Sequence, residues 1–398
     1  MDSQPVALVT DTERGSAVAV IRALHAEGWR VVAAATHRSA PGLHSRSTYA
    51  RLVHADPAEV PDLAAQQITA AIREHQCQLV FPITDLMLRL CRRAALPRSA
   101  VVAAAAPENY EAASDKWATV EAARRLAIPV PDSRLANSAA EVRTAAMELG
   151  WPVVLKPRWS VTEDHGSFQR HDVTIADGPD QLTRAEEDMP GGIIVQGFHS
   201  GAGVGVELLL DRGKVLAAFQ HRRLREYPIG GGPSSLRVSE ALDPDLLAWS
   251  TQLLGELKWT GLAMVEFKVG KNGPSLMEIN ARVWGSMPLA TRSGVDFPAL
   301  AAAVHLGRPP LTGPAPYRVG VRSRDLRLEM MWIAAVMRGG PPLVDGPRPS
   351  RWSALSAAMR LPLPGDGYDV VTFRDPGASM ADIRQAVRHL LRKARSSR

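Results

Sequence analysis

Two apolar runs close to residue 270 constrain this chain more than any other feature. Residues 261–267 read GLAMVEF and residues 276–282 read LMEINAR, and the Lys271-Asn272-Gly273-Pro274 segment between them has turn composition. Each run carries one carboxylate, and the pair reads as a hairpin that presents Glu266, Glu278 and Asn280 together. These are hard oxygen ligands of the kind that suits Mg²⁺.

At 398 residues the chain exceeds one small core, and domain-size statistics favour two or three domains. Hydrophobic residues make up 45% of it, enough to fill them. No positively charged segment followed by a long apolar region is visible, so a soluble, cytoplasmic protein without membrane contact is expected. Cys77 and Cys91 give neither a disulfide framework nor metal-ligand spacing and are expected as buried free thiols. The formal charge of +6 raises nucleic acid as a partner. The arginines are dispersed and form no single basic stripe, however, and an anionic small ligand accounts for the charge equally well.

A strand over 6–10, a helix over 15–27 and a strand over 30–36 make a βαβ opening. A helix over 58–75 and strands over 78–82 and 100–105 extend it to a small parallel-sheet domain. The first turn, residues 10–16, lacks GxGxxG spacing and places two acids where a pyrophosphate would be repelled, which argues against NAD or FAD there. The switch-point rule still allows a substrate at this sheet edge, with Thr84 and Asp85 either contacting it or serving as turn and helix cap.

A helix over 114–127, capped by Ser114 or Asp115, holds Lys116 in its first turn, where the helix dipole disfavours a cation. Lys116 is there either for an anion or as a solvated face residue. Lys156 ends the strand PVVLKP, well placed to aim its ammonium at an anion beside the sheet. The polar segment 158–171 is either a loop that closes over phosphates or an exposed hairpin loop. After a strand over 192–198, the run Gly201-Ala202-Gly203-Val204-Gly205 precedes a strand and not a helix, so it reads as a tight turn with close backbone approach. Arg222, Arg223 and Arg225 lead into a glycine-rich, hydroxyl-bearing stretch over 230–235. Their guanidinium forks fit a carboxylate or a developing phosphate, with a solvated charge run as the alternative.

Beyond residue 302 the signals thin. Residues 309–316 read as a proline-rich boundary, 325–338 as a helix and 339–351 as an irregular connector. In a last helix Ile383, Val387, Leu390 and Leu391 share one face and Arg384, Arg388, Arg392 and Lys393 the other. That pattern predicts a docked terminal helix, with membrane or nucleic-acid contact as the minor reading.

The order of these pieces resembles the ATP-grasp superfamily, of the carboxylate–amine ligase type, over residues 1 to about 305. The resemblance rests on SDKWAT around Lys116, PVVLKP around Lys156, IIVQGF before the glycine run, and GLAMVEF with LMEINAR. The stretch HRRLREYPIGGGPSS is most similar to members described as ATP-dependent carboligases. The resemblance implies an α/β, ATP-grasp fold with a Rossmann-like N-terminal domain over 1–108 and an ATP-grasp region over 109–305. Within that region the lid would span about 125–197 and the metal-binding part about 198–305, followed by a C-terminal α+β extension over 306–398.

It also implies that Lys116 and Lys156 hold the α- and β-phosphates of ATP, and that main-chain groups of Gln196, Gly197 and Phe198 meet the adenine. Glu266 and Glu278 would bind two Mg²⁺ ions, with Mn²⁺ as an admissible substitute and Asn280 completing the set. Arg282 would face the γ-phosphate and the acyl group, and Arg223 or Arg225 would position the carboxylate. The acidic residue that binds ribose in many members is absent after Phe198, which leaves Glu207 as the candidate, or as a strand residue facing solvent. The implied reaction joins a small-molecule carboxylate and an amine, at least one amino-acid-like, through an acyl phosphate; a homodimer is compatible with it. The alternative is a nucleotide-binding module without ligase turnover.

Overall fold

In the computed structural model residues 4–164, 166–185, 191–308, 313–340, 348–359 and 366–396 are described. Of the expected boundary over 309–316, residues 309–312 lie outside the described residues, as do 341–347 of the expected connector.

The alternation of apolar runs and turns in the first hundred residues produces an open parallel sheet. Its strands are β1 (Val6–Val9), β2 (Arg30–Ala35), β3 (Ala50–Val53), β4 (Leu79–Phe81) and β5 (Val101–Val102), in the order β3-β2-β1-β4-β5, every pair parallel. β1 is apolar throughout because helices cover both faces. Ala7 and Val9 pack with Val20 and Leu24 of the helix Gly15–Ala26, while Val6 and Leu8 pack with Ile68 of Pro61–Glu74 and Leu90 of Asp85–Arg93. Strand order reverses between β1 and β4, which opens a crevice beyond their C-terminal ends. Edge strand β3 was not expected from the sequence, since its residues are exposed or half-buried and break the apolar pattern. The strand expected over 100–105 forms hydrogen-bonded sheet only at Val101–Val102.

A second sheet runs β10-β7-β11-β6, from β6 (Ser133–Ala136), β7 (Val153–Pro157), β10 (Thr174–Ala176) and β11 (Ile193–Gly197), with the helix Ala139–Leu149 on one face. Between β7 and β10 the chain makes a separate hairpin of β8 (Val161–Asp164) and β9 (Ser167–Arg170). The polar segment 158–171 is therefore a hairpin, and it is docked. Val161 and Phe168 are buried beside Leu86 and Met87 of the first domain's core, and Arg93 reaches Glu163 at 2.7 Å.

The third sheet has seven strands in the order β16-β15-β12-β13-β14-β17-β18. They are β12 (Ala202–Asp211), β13 (Lys214–Glu226), β14 (Ser234–Glu240), β15 (Gly261–Gly270), β16 (Gly273–Asn280), β17 (Arg322–Arg324) and β18 (Asp366–Tyr368). Alternation separates its faces. Val206, Leu208, Ala263 and Val265 pack with Leu253 and Leu254 of the helix Pro244–Glu256. Leu209, Phe219 and Met264, on the opposite face, join the first domain's core together with Trp284 and the helices Met287–Ser293 and Phe297–His305. Further along that second face the residues become Gly203, Gly205, Arg223 and Glu266, and apolar contact gives way to a cleft.

The C-terminal stretch completes this sheet. β17 extends it antiparallel to β14, and β18 pairs parallel with β17. Arg237, almost wholly buried, is paired with Asp369, and Arg324 holds Asp366 at 2.9 Å. The helix expected over 325–338 forms as Leu326–Met337, capped by Asp325. The last helix, Pro376–Ser396, is docked, but by the face opposite to the one its apolar residues suggested. Ala378, Ala381 and Ala386 are buried, whereas Ile383, Val387 and Leu391 are exposed and Leu390 is half-buried. Small alanines allow close approach to the protein, so the inward face needed no large side chain. Cys77 and Cys91 are buried and unpaired, with burial pushing both thiols up to about 12. Among the described residues no helix is long and apolar enough to cross a membrane.

Candidate active site

The floor of the cleft follows from the pairing of β15 with β16, where Glu266 lies directly opposite Glu278. Directly opposed like charges repel. Here Asn280 bridges them, its amide nitrogen 2.9 Å from Glu266 Oε1 and 3.5 Å from Glu278 Oε1. Burial pushes the Glu266 carboxyl up; the Arg223 guanidinium opposes that rise and the Glu278 charge adds to it.

Arg223 reaches Glu266 from β13, two strands away, with Nη2 2.5 Å from Oε2. The intervening strand β12 makes this contact feasible. A Cβ at Gly203 would stand 2.7 Å from Arg223 Cδ, and one at Gly205 2.4 Å from His221 Cε1. These two glycines form a trough in which the β13 side chains lie across the sheet. The GxGxG run thus allows close approach, as expected, but of side chains and from inside a strand.

Arg225 departs from the expected arrangement. Simple alternation would put it on the Arg223 face, but the register shifts between Arg223 and Arg225 and again at Glu226. This irregularity turns Arg225 to the other side, where it pairs with Glu329 and stacks on Trp332 at 4.5 Å. Ser235 belongs to the same group, donating to Glu329 Oε2 at 3.0 Å.

The opposite wall comes from the second sheet. Lys156 on β7 is directed at β16, its Nζ 3.5 Å from the Met277 carbonyl. Burial lowers its pKa to about 8, with Glu278 opposing the shift. Lys116 opens the helix Lys116–Arg125, is buried, and donates to Ser160 Oγ at 2.6 Å. Its N-cap, Asp115, also receives a two-pronged contact from Arg158 at 2.6–2.9 Å, which ties β7 to this helix. Of residues 196–198, Gln196 is buried and donates to Ser133 Oγ, while the Gly197 and Phe198 amides donate to the carbonyls of Asp132 and Pro152.

Arg282 crosses to the first domain and meets Asp85 at 2.6 Å. Burial resists both charges, yet the pair outweighs it, holding Asp85 below the usual carboxylate range and Arg282 above its ordinary value. Thr84, as its capping alternative required, accepts from the Met87 amide.

Together these walls enclose about 1400 Å³. Lys156, Gln196, Gly197, Phe198, Arg223, Glu266, Glu278, Asn280 and Arg282 line that space; Lys116, Arg225 and Glu207 do not. Glu207 lies on the cleft face by alternation with Gly205, but Ser286 covers it, donating at 2.5 Å, and His221 stands 2.9 Å away. It is fully buried, so the solvent-facing alternative is corrected.

Residues 191–327 match a family described as ATP-grasp in the biosynthetic pathway with Ter operon. Among solved structures, the biotin carboxylase of Campylobacter jejuni in complex with β,γ-ATP is similar at a TM-score of 0.63 and 16% identity, covering 80% of this chain and 74% of that one. The biotin carboxylase domain dimer of Hydrogenobacter thermophilus 2-oxoglutarate carboxylase, with MgADP, ADP and bicarbonate, gives 0.62, 16%, 81% and 74%. The L-amino acid ligase of Bacillus licheniformis gives 0.55, 16%, 76% and 74%. The chain has the ATP-grasp fold.

The donor set suits the hard cation that an ATP-grasp fold implies. Glu266 is a half-buried carboxyl that faces a second carboxylate, and a divalent ion between them would relieve the repulsion that Asn280 and Arg223 now moderate. Rotation of the Asn280 amide would offer its oxygen in place of its nitrogen. Among the described residues no three His, Cys, Asp or Glu side chains cluster as metal ligands. The two carboxylates present, Glu266 and Glu278, suit Mg²⁺, which takes one or two carboxylates and otherwise water and phosphate oxygens.

Sequence reasoning missed the far end of the cleft. Asp325, Arg327, Asp369, Asp382 and Gln385 line it, all from the C-terminal stretch where motif signals are thin. The Asp85–Arg282 pair, joining residues 197 positions apart, was also invisible to local pattern.

Proposed function

We propose that this ATP-grasp protein is an ATP-dependent ligase that joins a carboxylate to an amine. The carboxylate attacks the γ-phosphate to give an acyl phosphate and ADP; the amine then attacks the acyl carbon and phosphate leaves, forming an amide. The observation that carries this reading is the facing pair Glu266 and Glu278 with Asn280, set in one cleft with Lys156, Arg223 and Arg282. Phosphoryl transfer needs positioning and fixed charge rather than a side-chain nucleophile, and these are residues of that kind. Bound Mg²⁺ would supply charge neutralisation at the phosphate oxygens.

Lys156 and Lys116 would hold the phosphates, Lys116 after releasing Ser160. Main chain at 196–198 would face the adenine. Arg282, anchored by Asp85, would stabilise charge on the acyl group from a fixed position. Arg223 would position the carboxylate, its contact to Glu266 loosening as the cation enters. The nucleotide and bicarbonate in the Hydrogenobacter structure and the likeness to the L-amino acid ligase of Bacillus licheniformis support small acids as the substrate class. We place the boundaries of the three parts at 108 and 305.

The test is to incubate the protein with Mg·ATP and pairs from a panel of amino-acid-like carboxylates and amines, and to measure nucleotide products. ADP and phosphate dependent on both partners is the expected result. AMP and pyrophosphate would replace the acyl phosphate with an adenylate and overturn the proposal.

A further inference from the structure

The C-terminal extension carries a surface that the ligase reading leaves unused. From residue 326 to 396 the described acids, Glu329, Asp366, Asp369, Asp375 and Asp382, are all buried or half-buried, and among the described residues every exposed charged side chain is basic. On the last helix four exposed residues are apolar, Met380, Ile383, Val387 and Leu391, spaced three, four and four apart. That spacing forms one stripe along the helix, and none of the four lines the cleft. Arg384 flanks the stripe on one side, next to Arg388, which also donates to Ser39 Oγ at 3.1 Å at the cleft, and the fully exposed Phe373 with Arg374 stands just before the helix. The helix Arg351–Met359, packed like the last helix on Leu326–Met337, also turns Trp352 and Met359 outward.

We propose that this face docks on an anionic lipid surface, with the last helix lying in the headgroup plane. An apolar stripe flanked by arginines, with aromatic residues nearby, matches the two requirements of interfacial binding, buried apolar area and attraction to anionic headgroups. A second copy of this chain in antiparallel pairing along the stripe is disfavoured because it would bring the arginine rows together. A peptide helix would need a groove, and the stripe stands on an outward-turned helix face. This departs from the expectation of no membrane contact, which rested on the absence of a spanning segment; surface docking needs none.

Flotation of the full chain with vesicles of equal parts phosphatidylglycerol and phosphatidylcholine tests this, with pure phosphatidylcholine vesicles alongside. The expected result is binding to the anionic vesicles that is at least about tenfold weaker on neutral ones, falls with added salt, and is lost in both Ile383→Asp/Leu391→Asp and Arg384→Glu at unchanged melting temperature. No binding to anionic vesicles at low salt overturns the proposal. So does binding that survives Ile383→Asp/Leu391→Asp, or equal retention on a DNA fragment, since either reduces the surface to a general polyanion contact. A dimer abolished by Leu391→Asp, without vesicle binding, would assign the stripe to a second copy instead. None of these readouts depends on ligase turnover.

Discussion

Strands β15 and β13 both bring charge to the same sheet, and they handle it differently. On β15 the pairing with β16 keeps Glu266 opposite Glu278, so like charges are held together on the cleft floor. On β13 a register irregularity separates two arginines that alternation would have paired, sending Arg223 to Glu266 and Arg225 to Glu329. Held-together repulsion favours a cation as ligand, while split attraction divides one arginine run into a cleft residue and a residue that joins the C-terminal stretch to the sheet. Proximity in sequence is therefore a poor guide to shared function here.

Substitutions can break this contrast. Glu278→Gln removes the charge facing Glu266 and should produce the largest effect, a loss of ADP formation on the order of 10³-fold with little change in melting temperature. Turnover within a few-fold of the parent would refute the role of the floor. Arg223→Ala should lower turnover roughly 10²-fold. Arg225→Ala should instead cost about 3 kcal/mol of stability, because Glu329 is left buried and unpaired, with the folded fraction turning over normally. If denaturant unfolding and steady-state rates showed the two alanine variants to be alike, the proposed division of the strand would fail.

Lys156 sharpens the picture through pH. Its ammonium is lowered to about 8 by burial, so nucleotide affinity should decline as pH rises through that value and the charge is lost, and Lys156→Arg should flatten the decline. The sign for stability is opposite. Between about 8 and the ordinary 10.5 the unfolded chain holds the proton that the folded chain has released, so the free protein gains stability as pH rises across that window. Calorimetry of ADP binding and thermal melts over the same pH range check both. Glu207→Gln should have the smallest effect. Its contacts with Ser286 and His221 are internal, so it should cost about 1 kcal/mol of stability and leave the preference for ATP over 2′-deoxy-ATP unchanged.

Much of this was legible in the residues because it is local. The hairpin, its turn and the facing carboxylates follow from alternation on two adjacent runs, and the placement of Lys156 follows from a strand that ends at proline. What the residues hid is non-local. The irregularity at Arg225 depends on how β14 pairs, and the burial of Glu207 depends on Ser286, 79 positions later. The last helix shows the same limit: its 3.6-residue pattern gave a correct stripe, but which side meets the protein was decided by Ala378, Ala381 and Ala386, small residues that carry little pattern signal.

The claim on which the rest depends is that the β15–β16 floor holds a divalent cation with the nucleotide. It is tested most directly by measuring ADP affinity with and without Mg²⁺ in the parent protein and in Glu278→Gln. The account predicts that Mg²⁺ tightens ADP binding in the parent and that this increment disappears in the variant, while metal-free ADP binding persists in both. A Mg²⁺ increment of the same size in Glu278→Gln would contradict it.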